Sequence, residues 1–217
     1  SQNNVNSAVG LVDLFSSASP FNTQDFIIRQ ALASVRTTTL VQILSCTNAG
    51  GISPVGYVDV KVLVQRMDGA GNVIDAGTIY NVPYFRLQGG TNAIIMDPQA
   101  GDIGLACISD RDISAVKASG AAAAPGSVRR HDMADALYLG GVLNGTPTQY
   151  IQFTDSGITV LSPTKVTIHA PVVAVEGDMT VTGKVTAAGD VIGAGISLST
   201  HHTQGVTPGS GISGLPI

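Results

Sequence analysis

Glycines at Gly177, Gly183, Gly189 and Gly195 recur every six residues, and this spacing restricts the C-terminal third to very few folds. At the same period stand Val173, Met179, Val185 and Val191, followed two residues later by Val175, Val181, Ala187 and Gly193. The unit is apolar-x-apolar-x-Gly-x, repeated nearly four times. Side chains alternate between the two faces of a strand, so an even period returns every apolar pair to the same face. Glycine at each corner supplies the backbone angles that a bend needs. Upstream, Ile151 and Phe153, Ile158 and Val160, and Val166 and Ile168 continue the pairing less regularly.

Two arrangements use such a repeat. A single-chain left-handed β-helix takes hexapeptides as its sides, about three to a turn. Four clean repeats then make little more than one turn, too few to enclose a core. In the other arrangement three chains each supply one side about a common axis, and every repeat is buried by its neighbours. The shortness of the segment favours the trimer.

Composition points the same way. Of 217 residues only 12% are Asp, Glu, Lys or Arg, whereas 44% are hydrophobic; an average soluble domain carries about a quarter charged residues. A monomer this poor in charge has little with which to cover its surface, which implies surface hidden between chains. The net charge of −4, without a basic run, argues against a nucleic-acid partner. No apolar stretch approaches the roughly 20 residues that span a bilayer. The N-terminal SQNNVNSAVGLVDLFSSASP has no basic start and no secretory apolar run, as expected of a protein assembled in the cytoplasm. Cys46 and Cys107, each in an apolar strand-like run, read as buried free thiols.

Along the chain, residues 1–36 form an N-terminal arm with one short helix at 24–35, whose Phe26, Ile27, Gln30, Ala31 and Ser34 share a face. From 37 to 116 the chain reads as a small antiparallel β-barrel, OB-like, punctuated by NAGG, MDGAGN and QGGTN turns. Its five strands are TTTLVQILSC, VGYVDVKVLVQR, VIDAGTIYNVPYFRL, AIIMDP and GDIGLACIS. Residues 117–150 open on the low-complexity KASGAAAAPG and form a joint and lead-in. Residues 151–198 form the trimeric β-helix, and 199–217 a Gly/Pro-rich pointed tip. The fold class is therefore all-β.

Three stretches carry a family resemblance: PQAGDIGLACISDRDIS at 98–114, SVRRHDMADALYLGG at 127–141, and GISLSTHHTQGVTPGSGISGLP at 195–216. In their order and spacing the chain resembles the central membrane-piercing spikes of contractile-tailed phages, the baseplate assembly protein V group, related to the spike of type VI secretion. The resemblance implies an N-terminal OB-fold, a tapering trimeric β-helix and a sharp tip. It implies a virion protein of the tail baseplate, assembled in the host bacterial cytoplasm, which docks on tail hub proteins and punctures the host outer membrane on contraction. It also implies an iron ion on the three-fold axis at the tip, held by His-x-His before a Gly-Val pair. Aligned on Gly205 and Val206, His201 takes the first ligand position and Thr203 the second, with His202 between them. Three His201 imidazoles then hold the ion, with Thr203 hydroxyls, water or His202 completing the shell. Imidazole suits iron, zinc or nickel.

Other residues read more plainly. His169 alternates with Ile168 and faces outward. His131 beside Asp132 lacks a nucleophile, and the DRD at 110–112 reads as a turn with a salt bridge. The glycine-rich stretches lie between strands and match no phosphate-cradling loop; no G-x-S-x-G occurs, and no catalytic residue is assigned. Two alternatives remain. A hexapeptide-repeat trimeric acyltransferase needs many coils and a groove histidine. An OB-fold nucleic-acid-binding protein needs stacking aromatics in a basic groove, where Tyr80, Tyr84 and Phe85 have only Lys61, Arg66 and Arg86 nearby.

Overall fold

A computed structural model describes residues 17–68, 71–200 and 209. The chain divides into two compact units, Ser1–Thr148 and Gln149–Ile217.

The first unit opens on helix α1 (Pro20–Ser34), which starts four residues earlier than its apolar spacing predicts. Ser19 explains the start: its hydroxyl accepts from the Asn22 N–H at 3.2 Å, and Pro20 supplies a fixed φ in the first turn. No residue of α1 is fully buried, and its Phe21, Ile28 and Leu32 stay exposed.

That sheet is mostly built as the alternation of its residues dictates. Strands β1 (Thr38–Cys46) and β2 (Tyr57–Val62) pair antiparallel. Short β3 (Arg66–Met67) and β4 (Val73–Ile74) make a side hairpin. After β5 (Thr78–Pro83), a second hairpin joins β6 (Leu87–Gly89) to β7 (Asn92–Ile94). Strand β8 (Ile103–Ile108) and, after helix α2 (Ser114–Ser119), strand β9 (Ala136–Gly141) complete one five-stranded sheet in the order β5-β2-β1-β8-β9. On β2 every second residue, Val58, Val60 and Val62, is buried, and Ala106 and Ile108 on β8 join Ala136 and Tyr138 on β9 across the same core.

The sheet curls because three of its ladders carry an irregularity. On β5, Tyr80 and Asn81 stand opposite Asp59 alone; Asn81 takes a positive φ of 56°, and its N–H donates to the Asp59 carboxylate at 3.0 Å. Register also shifts between Ile43 and Ser45 on β1 and between Leu105 and Ala106 on β8. Such bulges bend a strand and increase its twist. The curl brings the two ends of the strand order together at a parallel bridge between Tyr84 and Tyr138, where the Phe85 N–H donates to the Tyr138 carbonyl at 2.7 Å. The architecture is thus a curled antiparallel half-barrel with its ends in touch.

Two sequence readings differ from this. The apolar run AIIMDP is not a strand of the main sheet: Asn92–Ile94 pairs only with Leu87–Gly89, and Ile94 and Met96 are exposed. The fifth strand is instead Ala136–Gly141, in the stretch read as a joint. Its alternation is the better guide, since Ala136 and Tyr138 are buried while Leu137 and Leu139 point out. Helix α2 was also unforeseen. It ends at Gly120 in the left-handed conformation, and Lys117 staples it to the β5 bulge through the Asn81 carbonyl at 2.8 Å.

The second unit is built differently. Strands β10 (Tyr150–Thr154) and β11 (Gly157–Leu161) form an antiparallel hairpin. Residues 162–191 then run without a ladder, and a small hairpin of β12 (Ile192–Gly193) and β13 (Ile196–Ser197) follows. Its turn places Ala194 and Gly195 at φ of 50° and 84°, the angles of the type I′ turn that suits hairpin twist. One chain alone thus forms no β-helix over the described residues.

At Gly104 a backbone atom stands where a side chain would go, and it cannot swing away as a side chain could. A Cβ there would sit 2.1 Å from the Gly140 carbonyl oxygen and 2.4 Å from the Tyr138 ring. We expect Gly104→Ala to separate β8 from β9 and lower the melting temperature well below that of Gly51→Ala, a change in open space at an exposed position without positive φ, in parallel thermal melts.

Candidate assembly surface and polar clasps

The β10–β11 register sorts the side chains of the hairpin by face. Ile151 pairs with Val160 and Phe153 with Ile158, so four large apolar side chains occupy one face, and all four are more than half exposed. The other face carries Gln152 opposite Thr159. Beyond the hairpin, Val166, Ile168, Val173, Val175, Met179, Val181, Val185 and Val191 are likewise exposed. Scattered exposed apolar residues need no explanation, but a continuous row marks a surface meant to be covered.

Of the predicted metal ligands, His201 and His202 lie outside the described residues, as does Thr203. Nearest to them, Asp190 is held below the usual carboxylate range by the Ser197 hydroxyl and by the Ser199 N–H, which donates at 3.1 Å. This fixes the start of the β12–β13 hairpin to its end. His169 is exposed. Among the described residues, no group of three or more His, Cys, Asp or Glu is placed to hold a metal ion. His131 sits at a positive φ of 48° with Nδ1 3.1 Å from the Arg36 carbonyl. Its neighbour Asp132 accepts from the Ala134 N–H at 2.9 Å and caps a single 3-10 turn, so the two form no acid–base pair.

The first unit contains two buried polar clasps. In one, Asp97 accepts from Arg86, from the Tyr84 hydroxyl at 2.6 Å and from the Gly50 N–H at 2.8 Å. Burial alone would raise the Asp97 carboxyl, but these donors hold it low; burial and the same carboxylate push the Tyr84 phenol up to about 12. Arg86 also donates to the Ser53 carbonyl at 2.7 Å. The clasp ties the loop after β1 to the strands on either side of the β6–β7 hairpin. Arg86 is therefore spoken for, and it offers no charge to a nucleic-acid groove; Tyr84 is buried, and only Tyr80 and Phe85 of the three aromatics are exposed.

In the other clasp, Arg129 reaches Asp135 at 2.6 and 2.8 Å and Asp112 at 2.9 Å. Asp112 also accepts from the Ser127 hydroxyl at 2.7 Å and the Ser114 N–H at 2.8 Å. Hydrogen bonds from Ser114 and Ser127, then the charge of Arg129, lower the Asp112 carboxyl from 3.8 to about 2. The hydrogen bond from Arg129 lowers Asp135 in the same direction. The DRD turn thus divides: Arg111 makes a loose exposed contact with Asp110 at 3.6 Å, while Asp112 turns inward. Sequence reading missed both clasps. The available signal was the scarcity of charge, since a chain with 11 Lys and Arg seldom sets them in apolar strands without partners. Cys46 and Cys107 are free and half-buried; Cys46 pairs with Val58 and Cys107 with Thr38, at opposite ends of β1.

The chain is thus a mostly-β protein, in which two ion-paired polar clasps hold a curled half-barrel and an apolar row of the second unit lies uncovered. Residues 54–141 match the family model described as the phage protein Gp138 N-terminal domain, a span from the approach to β2 through the end of β9. No curated protein matches the chain. The match covers less than half of the chain and supports a phage structural protein related to the baseplate, a component of the virion.

The Arg129 clasp sets an acid limit. Both carboxyls titrate lower in the folded chain than in the unfolded one, so their contribution is complete above 3.8 and is lost on acidification, that of Asp112 as pH falls toward about 2. We expect the melting temperature of the first unit to decline across that window. Arg129→Met lowers it most at neutral pH, and the gap to the parent narrows below about pH 4 as the aspartates protonate; melts by circular dichroism across pH check this.

Proposed function

We propose that the chain is a homotrimeric spike at the centre of a phage tail baseplate, which punctures the host outer membrane when the tail contracts. In this reading the first unit is an OB-like barrel that docks on hub proteins. Support for the barrel comes from the strand order and the parallel Tyr84–Tyr138 bridge, which joins the third strand to the fifth as an OB barrel does. The single observation that carries the proposal is the uncovered apolar row of the second unit, Ile151, Phe153, Ile158 and Val160 followed by the period-six valines. Two sister chains cover that row, and the result is an intertwined β-helix without sheet edges. The role is mechanical, with no enzymatic step and no nucleic-acid partner.

The tip reading goes with it. Three His201 imidazoles converge on an iron ion at the axis, with His202 and Thr203 adjacent. Iron would supply a rigid cross-link among three chains, not chemistry. Imidazole donors suit that ion, and symmetry turns one histidine into three ligands.

Sedimentation velocity at micromolar concentration gives a trimer under this proposal, and a monomer overturns it. Phe153→Asp weakens association by about tenfold or more, since a buried Phe contributes roughly 1.5–3 kcal/mol. Gln152→Asp, on the other face, leaves the trimer intact.

Elemental analysis of the purified trimer finds iron, and His201→Ala removes it while sedimentation still reports three chains. A trimer without metal disposes of the iron site and leaves the spike standing.

A further inference from the structure

Helix α1 is formed, but none of its residues is fully buried. Phe21 and Ile28 stand seven residues apart, with Leu32 four after Ile28, so the three lie in one stripe along the helix, and Val35 follows at its extended C-cap. All four are exposed, Phe21 at 76% and Leu32 at 65%. The opposite side carries Thr23, Phe26 and Gln30. An isolated helix of about 12–15 residues is marginal in water, and α1 has 15. Its side-chain cap helps the first turn only. The stripe needs a cover that its own sheet does not provide.

The candidates for that cover can be separated by charge and area. A membrane surface is matched by helices with several Lys or Arg on the polar side, and α1 has Arg29 alone, paired to Asp25 at 2.7 Å. A separate protein partner is disfavoured by area. Three side chains on a helix about 22 Å long, with the C-cap valine, cannot supply the ~800 Å² per partner of a standard stable interface. A sister copy needs far less, because chains already joined elsewhere meet at an effective concentration in the millimolar range. Asp25 flanks the stripe, but Arg29 neutralises it on the same helix, so bringing copies together accumulates no net charge. A seven-residue apolar spacing is also the one that lets identical helices pack along their length.

We propose that the α1 stripes of three sister chains pack on one another as a short parallel three-helix collar, with Ile28 and Leu32 at its centre. The proposal rests on the trimeric reading above. It adds a second place where the three chains meet, at the other end of the sequence from the period-six repeat. Three-fold symmetry then brings Ile28 of each chain next to Ile28 of its neighbours.

Self-cross-linking of the full chain tests this, in a background carrying Cys46→Ser and Cys107→Ser. Under mild oxidation Ile28→Cys yields disulfide-linked dimers on a non-reducing gel, and Gln30→Cys, on the far side of the helix, does not. Denaturing the chain before oxidation abolishes the Ile28→Cys band. A trimer by sedimentation in which Ile28→Cys gives no dimer overturns the collar and leaves the spike reading in place. Equal bands from the two positions overturn it as well, since random collision then explains both. A monomer by sedimentation removes the two proposals together.

Discussion

An apolar row on a strand has to be covered, and the two units meet that constraint in different ways. In the first unit the sheet curls until its own strands do the covering. Val41, Val58, Val60 and Val82 are almost completely buried among residues of the same chain. Among the described residues of the second unit the chain turns back only in two small hairpins, and their apolar side chains stay exposed. The hairpin stops at Leu161, and the following 30 residues carry their valines outward. The low charge of the whole sequence belongs to the same account. With 12% charged residues in the whole sequence, few charged side chains are available to break up that row.

Because charges are few, those inside the first unit do specific work. Arg86 with Asp97 and Arg129 with Asp112 and Asp135 each join segments distant in sequence. An ion pair of this kind adds little net stability compared with apolar packing, but losing one partner strands the other. Its use here is to fix which loop goes where. The Arg129 clasp holds the connection between β8 and β9, so that β9 enters in a single register beside β8. The Arg86 clasp holds the strands that lead into and out of the β6–β7 hairpin. Both ion pairs lie inside the span that matches the phage Gp138 N-terminal domain, whereas Gly50 and Ser53, α1 and the second unit lie outside it.

Much of the β-architecture was legible because alternation is a local signal. The strands at Thr38–Cys46, Tyr57–Val62, Thr78–Pro83 and Ile103–Ile108 follow from it directly. The fifth strand was misplaced because AIIMDP is apolar without alternating, and an apolar run does not say which partner it has. In Ala136–Gly141 the alternation is present, but it follows a stretch of alanine and glycine that reads as a spacer. The bulge at Asn81 and the clasp at Arg129 depend on contacts between residues far apart in the chain, which periodicity does not encode. The helix at 20–34 was legible from its spacing. That its apolar stripe stays exposed was not, since amphipathic spacing records that a face is apolar and not what lies against it. The histidines at 201 and 202 stay a matter of sequence alone.

Under the trimeric reading, folding of the second unit and assembly are one event. Glycine at every sixth position, of which Gly177 and Gly195 take positive φ, eases the bends but also enlarges the conformational freedom that ordering must remove. Nothing in a lone chain offsets that cost, because the adjoining valines find no apolar neighbour there. Three chains supply the neighbour and the offset together, so stability belongs to the assembly and rises with chain concentration. The same reasoning accounts for the even period. A repeat of five or seven would turn alternate valine pairs to the opposite face, and half of each row would then face solvent. Six keeps every pair directed at the axis, which is what a thin shaft carrying load along its length requires.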